Sequence, residues 1–142
     1  MSKLRTVLAL AALAITMTAL PVVAQDDAVA PAVVSGTILL PEGAILPDGA
    51  VVNVEIQDTS RADAMAVTIS TLSMEAPGAS APIPFALSLL PVALPDQGVY
   101  TLSLRIDSPD GTLLYINDWV TPAIDERGPI TDVVAELIAV DA

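Results

Sequence analysis

The stretch LPDGAVVNVEIQDTSRADA, Leu46 to Ala64, decides the fold class. From Ala50 to Asp58 it alternates: Val52, Val54 and Ile56 face one way, and Asn53, Glu55 and Gln57 the other. A period of two is the signature of a half-buried β-strand. Ahead of it, Pro47-Asp48-Gly49 fits a turn, because proline presets φ and glycine accepts a positive φ. Behind it, a polar stretch places Arg61 between Asp58 and Asp63, either as a site or as the corner leading into the next strand.

The same pattern extends in both directions. Val33–Leu40, Ala66–Met74, Ile83–Leu90, Val99–Asp107, Thr112–Val120 and Thr131–Val140 bring the strand candidates to seven, although the last also fits a helix. In the fourth, Ile83, Phe85, Leu87 and Leu89 share a face; in the fifth, Tyr100, Leu102, Leu104 and Ile106 do so. Ser108-Pro109-Asp110-Gly111 reads as a hairpin loop. Pro82 and Pro84 flank Ile83 and cannot donate to a ladder, which places Ile83, Pro84, Phe85 and Leu87 on an edge strand. Short strands separated by turn residues predict an all-β fold, a small antiparallel β-sandwich of about seven strands, with an open barrel as the alternative.

Residues 1–24 read as an export signal. Lys3 and Arg5 precede the apolar run Val7–Leu20, Pro21 breaks it, and Val22 and Ala24 are the small residues before a cut. As a helix that run spans about 21 Å, short of the ~30 Å hydrocarbon core. Gln25–Ala32 is then a flexible acidic leader, and residues 33–142 form a single domain. The expected location is periplasmic or secreted, without membrane insertion after cleavage.

Composition narrows the function further. Without residues 1–24, three arginines (Arg61, Arg105, Arg127) face 17 acids, a net charge of −14. Such a charge repels nucleic-acid phosphates and anionic lipid. There is no Cys and no His, and the one Lys is Lys3. Disulfides, thiol chemistry, Ser-His-Asp triads, His-ligated zinc and Schiff-base lysine are all excluded.

The segments VSGTILLPEGAILPDGAVVNVEIQDTSRADAMAVTIS, APIPFALSL and YTLSLRIDSPDGTLLYINDW resemble the YbaY-like lipoprotein family. That family includes the lipoprotein chaperones, or pilotins, of type III secretion (the YscW type). The resemblance runs from about Val34 to Thr121 and implies a periplasmic β-sandwich. Its pilotin members help outer-membrane secretin subunits reach their place. Family lipoproteins carry a cysteine at the cleavage site, whereas here VVAQ places Gln25 there, so no lipid is expected on this residue.

Among candidate sites, Asp58, Ser60, Arg61 and Asp63 are read first as a structural corner. Asp58 and Ser60 bond nearby backbone N–H groups, and Arg61 braces the carboxylates. An anion clamp or protein contact is the functional alternative. Asp58, Asp63, Asp107, Asp110, Asp118, Asp125 and Glu126 are loop acids, but no D-x-D-x-D-G calcium loop occurs. The aromatics are Phe85, Tyr100, Tyr115 and Trp119, mostly in core patterns; the 113-115-117-119 parity offers the best exposed aromatic face. The resulting expectation is a non-catalytic accessory or chaperone-like module with no catalytic residue, cofactor or metal. It would act on an envelope protein, through a strand edge that accepts another chain's strand. A calcium- or glycan-binding module is the alternative, and a carboxylate-based hydrolase comes third.

Overall fold

The computed structural model describes residues 31–78, 82–89, 94–95 and 97–141. The export signal, and the leader as far as Ala30, lie outside them. Strict alternation in three strands sets the core. β2 (Val51–Asp58) buries Val52, Val54 and Ile56, β4 (Ile83–Leu89) buries Ile83, Phe85, Leu87 and Leu89, and β5 (Tyr100–Asp107) buries Tyr100, Leu102, Leu104 and Ile106. Each of these side chains contributes roughly 1.5–3 kcal/mol by leaving water.

The remaining strands are β1 (Ala32–Leu39), β3 (Val67–Glu75), β6 (Leu113–Ile116), β7 (Thr121–Pro122), β8 (Ile124–Asp125), β9 (Gly128–Pro129), β10 (Val133–Glu136) and β11 (Ile138–Ala139). No helix occurs among the described residues, and Thr131–Val140 is extended. Apart from the two-stranded β8–β9 ribbon, one sheet runs β10-β1-β4 and the other runs β11-β6-β5-β2-β3, with β7 added beside β5. Buried residues from both form one core, so the two sheets pack as a sandwich.

Most pairs are antiparallel, but β1 and β10 run parallel, with Gly36 opposite Val133. A Cβ on Gly36 would lie 2.2 Å from the Val133 carbonyl oxygen, so glycine is what allows β10 to close in. The sandwich is tied at both flanks. Buried Leu137 joins β10 of the small sheet to β11 of the large one, and its N–H bonds the Leu39 carbonyl at 2.9 Å. On the other flank, the Ser70 hydroxyl of β3 donates to the Ser88 carbonyl of β4 at 3.0 Å.

The outer face of the large sheet is polar. Asn53 donates to Asp107, which also pairs with Arg105, while Gln57 and Thr68 both donate to Glu55. At the turn before β2, Gly49 has φ of 80° and the Ala50 N–H bonds the Pro47 carbonyl, as the Pro-Asp-Gly signal requires.

Candidate interaction surface

Asp58, opposite both Val67 and Tyr100, has the parity of the core residues but follows Ile56, the last buried residue of β2. An extra residue in β3 (Ile69) between the partners of Ile56 and Gln57 bends that strand here. The Asp58 carboxylate accepts from the Ser60 N–H at 2.9 Å and from the Ser60 hydroxyl. These bonds, the hydroxyl first, lower its pKa. The Ser60 Oγ in turn accepts the Val99 N–H at 2.9 Å, and the Thr59 N–H donates to the Val99 carbonyl at 2.8 Å. Asp58 and Ser60 thus tie the corner to the loop before β5.

Arg61 and Asp63 take no part in these bonds. The ion pair among the described residues is Arg105–Asp107, at 2.6 Å, and the Arg61 side chain is exposed without a hydrogen bond. Arg61 acts on Asp58 only through space, as the smallest cause of its lowered pKa. The expected bracing by Arg61 is therefore corrected. The hydroxyl of Ser60 already satisfies the carboxylate, leaving the guanidinium in solvent.

Beyond the corner the chain is open. Asp58, Ser60, Arg61, Ala64, Met65 and Val67 line a shallow depression. Met65 is 93% exposed, and Val67 and Val99 are also exposed. Sequence patterning missed Met65 and Val67, because an apolar residue at a rim has the same letter as one in a core.

On β4, the buried faces of Ile83, Phe85 and Leu87 point into the sandwich, and Pro84, Ala86 and Ser88 are exposed. β4 ends the three-stranded order, with β1 as its ladder partner. Since the Ser88 carbonyl meets Ser70, it points away from β1. In an antiparallel strand that direction recurs every second residue. Pro84 and Ala86 therefore also turn their main-chain groups outward, where the missing N–H of Pro84 costs no ladder bond.

The acids do not converge. Among the described residues no three His, Cys, Asp or Glu side chains group as a cation site. Asp110 is engaged within its hairpin, where the Ser108 hydroxyl and the Thr112 N–H lower its pKa. Phe85 and Tyr100 are buried and Tyr115 is half-buried, whereas Trp119 is exposed.

Three similarities bear on this surface. The family model for the type III secretion system lipoprotein chaperone (YscW) matches residues 29–134. The uncharacterized lipoprotein YbaY of Escherichia coli (strain K12) is 32% identical over 108 residues, 76% of this chain and 56% of that protein. The chain thus spans just over half the length of that relative. The structure of an alternative pilotin from the type II secretion system of Vibrio cholerae superimposes with a TM-score of 0.70 at 32% identity, covering 78% of this chain and 97% of that one.

Proposed function

Since the chain belongs to the family of type III secretion system lipoprotein chaperones (YscW), we propose that it is an exported, non-catalytic accessory protein of the cell envelope that holds another envelope protein. Its family and its likeness to a pilotin support a protein-interaction module. The partner segment lies along the flank where β3 meets β4.

One observation carries this placement. Ala86 turns ladder groups outward on a side of β4 that no other strand pairs among the described residues. An extended segment of the partner can hydrogen-bond there as an added strand. The Ser70–Ser88 bond closes the end of that edge, which fixes how far an added strand can run. On the β3 side, a few residues before Ser70, exposed Met65 and Val67 offer apolar contact at the rim.

The test is in-cell crosslinking from a photoreactive residue at position 65, with mass spectrometry of the adducts, in wild type and in Ala86→Pro. Proline at 86 removes one outward N–H, as Pro84 already does two residues earlier, so the fold should survive. The expected outcome is an envelope-protein adduct that falls about five- to tenfold in the variant, the equivalent of one lost hydrogen bond. An adduct yield unaffected by Ala86→Pro would remove the strand-addition reading. Turnover of any substrate that disappears on one acid-to-amide change would remove the non-catalytic one.

A further inference from the structure

β6 and β7 lie along the same side of β5, and between them the chain leaves the sheet at Asp118, Trp119 and Val120. Asn117 makes this departure possible. Its Oδ1 accepts the Leu104 N–H at 2.8 Å and its Nδ2 donates to the Leu102 carbonyl at 3.0 Å, so the side-chain amide fills a place that a strand's backbone would occupy. The same Nδ2 lies 3.2 Å from the Trp119 carbonyl and 3.3 Å from the Thr121 hydroxyl, and that hydroxyl also donates to the Trp119 carbonyl. The bulge is therefore tied at its base while its side chains face water: Trp119 is 77% exposed and Val120 81%.

An exposed indole adds nothing to the core, and a loop tied by one side chain loses little freedom when something binds. Tryptophan is also among the residues enriched at the energetic centres of protein contacts. We propose that Asp118, Trp119 and Val120 form a second contact surface, distinct from the β3–β4 flank, for a polypeptide segment carrying an arginine or lysine beside apolar side chains. Charge selects this partner. The exposed Asp118 carboxylate stands next to the indole in sequence, on a protein with 17 acids and five cations. A guanidinium or ammonium gains from the ring face and from the carboxylate together. A second copy of this chain, or an anionic membrane, would be repelled.

Trp119 is the one tryptophan in the chain, so its emission reports this surface directly. The probes are two ten-residue peptides, one alternating Leu with Arg and one alternating Leu with Glu, together with neutral phosphatidylcholine vesicles. The Leu-Arg peptide is expected to shift Trp119 emission to the blue, and the Leu-Glu peptide and the vesicles to leave it unchanged. Affinity, followed by calorimetry so that the indole is not required, should fall about tenfold in Trp119→Ala. It should fall about threefold in Asp118→Asn. Asn117→Ala should weaken binding with the indole still present and raise the local mobility seen in Trp119 anisotropy decay. Equal affinity of Trp119→Ala and wild type for the Leu-Arg peptide would overturn the proposal. So would a blue shift with vesicles but not with that peptide. An envelope adduct from position 65 in cells, with no response of Trp119 to the peptide, would overturn this surface and leave the β3–β4 flank standing.

Discussion

Gly36 and Asn117 both sit where a strand meets its neighbour, and they solve the meeting in opposite ways. At Gly36 a side chain is removed so that the backbone of β10 can approach; at Asn117 a side chain is added so that the backbone of β5 need not be met by another strand. The first contact lies within the small sheet against the core, and nothing can be added there. The second lies on the rim, where the amide frees three residues to leave the sheet. A sandwich of this size keeps its interior by close approach and gains exposed features by side-chain substitution of the ladder.

The sharpest way to break the comparison is Gly36→Ala. Its methyl would meet the Val133 carbonyl oxygen at 2.2 Å and the Val133 Cβ at 2.7 Å, so β10 has to move. The expected loss is about 3 kcal/mol, at the upper end for overpacking, read from the denaturant midpoint, with faster amide exchange in β10. Asn117→Ala should cost no more than that, roughly 1–3 kcal/mol, because the partly buried Leu104 N–H loses its partner. Asn117→Asp should restore only part of the loss at neutral pH, since its carboxylate can accept the Leu104 N–H but cannot donate to the Leu102 carbonyl. Exchange of the Leu104 amide measures both.

The corner supplies smaller effects. Ser60→Ala deletes a donor to Asp58 and the acceptor of the Val99 N–H, with an expected loss of about 1 kcal/mol. The same change should raise the Asp58 pKa toward that of a free aspartate, followed by carboxyl NMR. Because folding lowers this pKa, the stabilisation from Asp58 is present above the unfolded value of about 3.9 and is lost as pH falls through the folded one. Asp110 behaves alike through Ser108 and Thr112. Arg61→Ala comes last, with a midpoint shift below about 0.5 kcal/mol, as for an exposed side chain without a partner.

The alternation of β2, β4 and β5 was legible residue by residue, because burial repeats every second position and leaves its trace in the letters. So were the Pro47-Asp48-Gly49 turn and the Asp58–Ser60 bonds, which are local. What connects distant residues left no such trace. Nothing near Gly36 in sequence announces Val133. The run Thr112–Val120 read as one strand, since side-chain bonds from Asn117 to Leu102 and Leu104 have no period. Arg61 misled for a related reason. Acids flank it at positions 58 and 63, but Asp58 is already satisfied by Ser60.

The parallel pairing of β1 with β10 has a consequence for how the molecule assembles. Gly36 and Val133 are neighbours in the sheet, yet nearly the whole domain lies between them in sequence. The β1–β4 pair cannot complete its sheet until β10 docks, whereas β2 and β3 can pair as soon as both are made. Non-local pairing of this kind places folding in the range of milliseconds to seconds. Until β10 docks, β1 is paired on one side only. Closure of the interior waits for β10, a strand made only after β1 to β9.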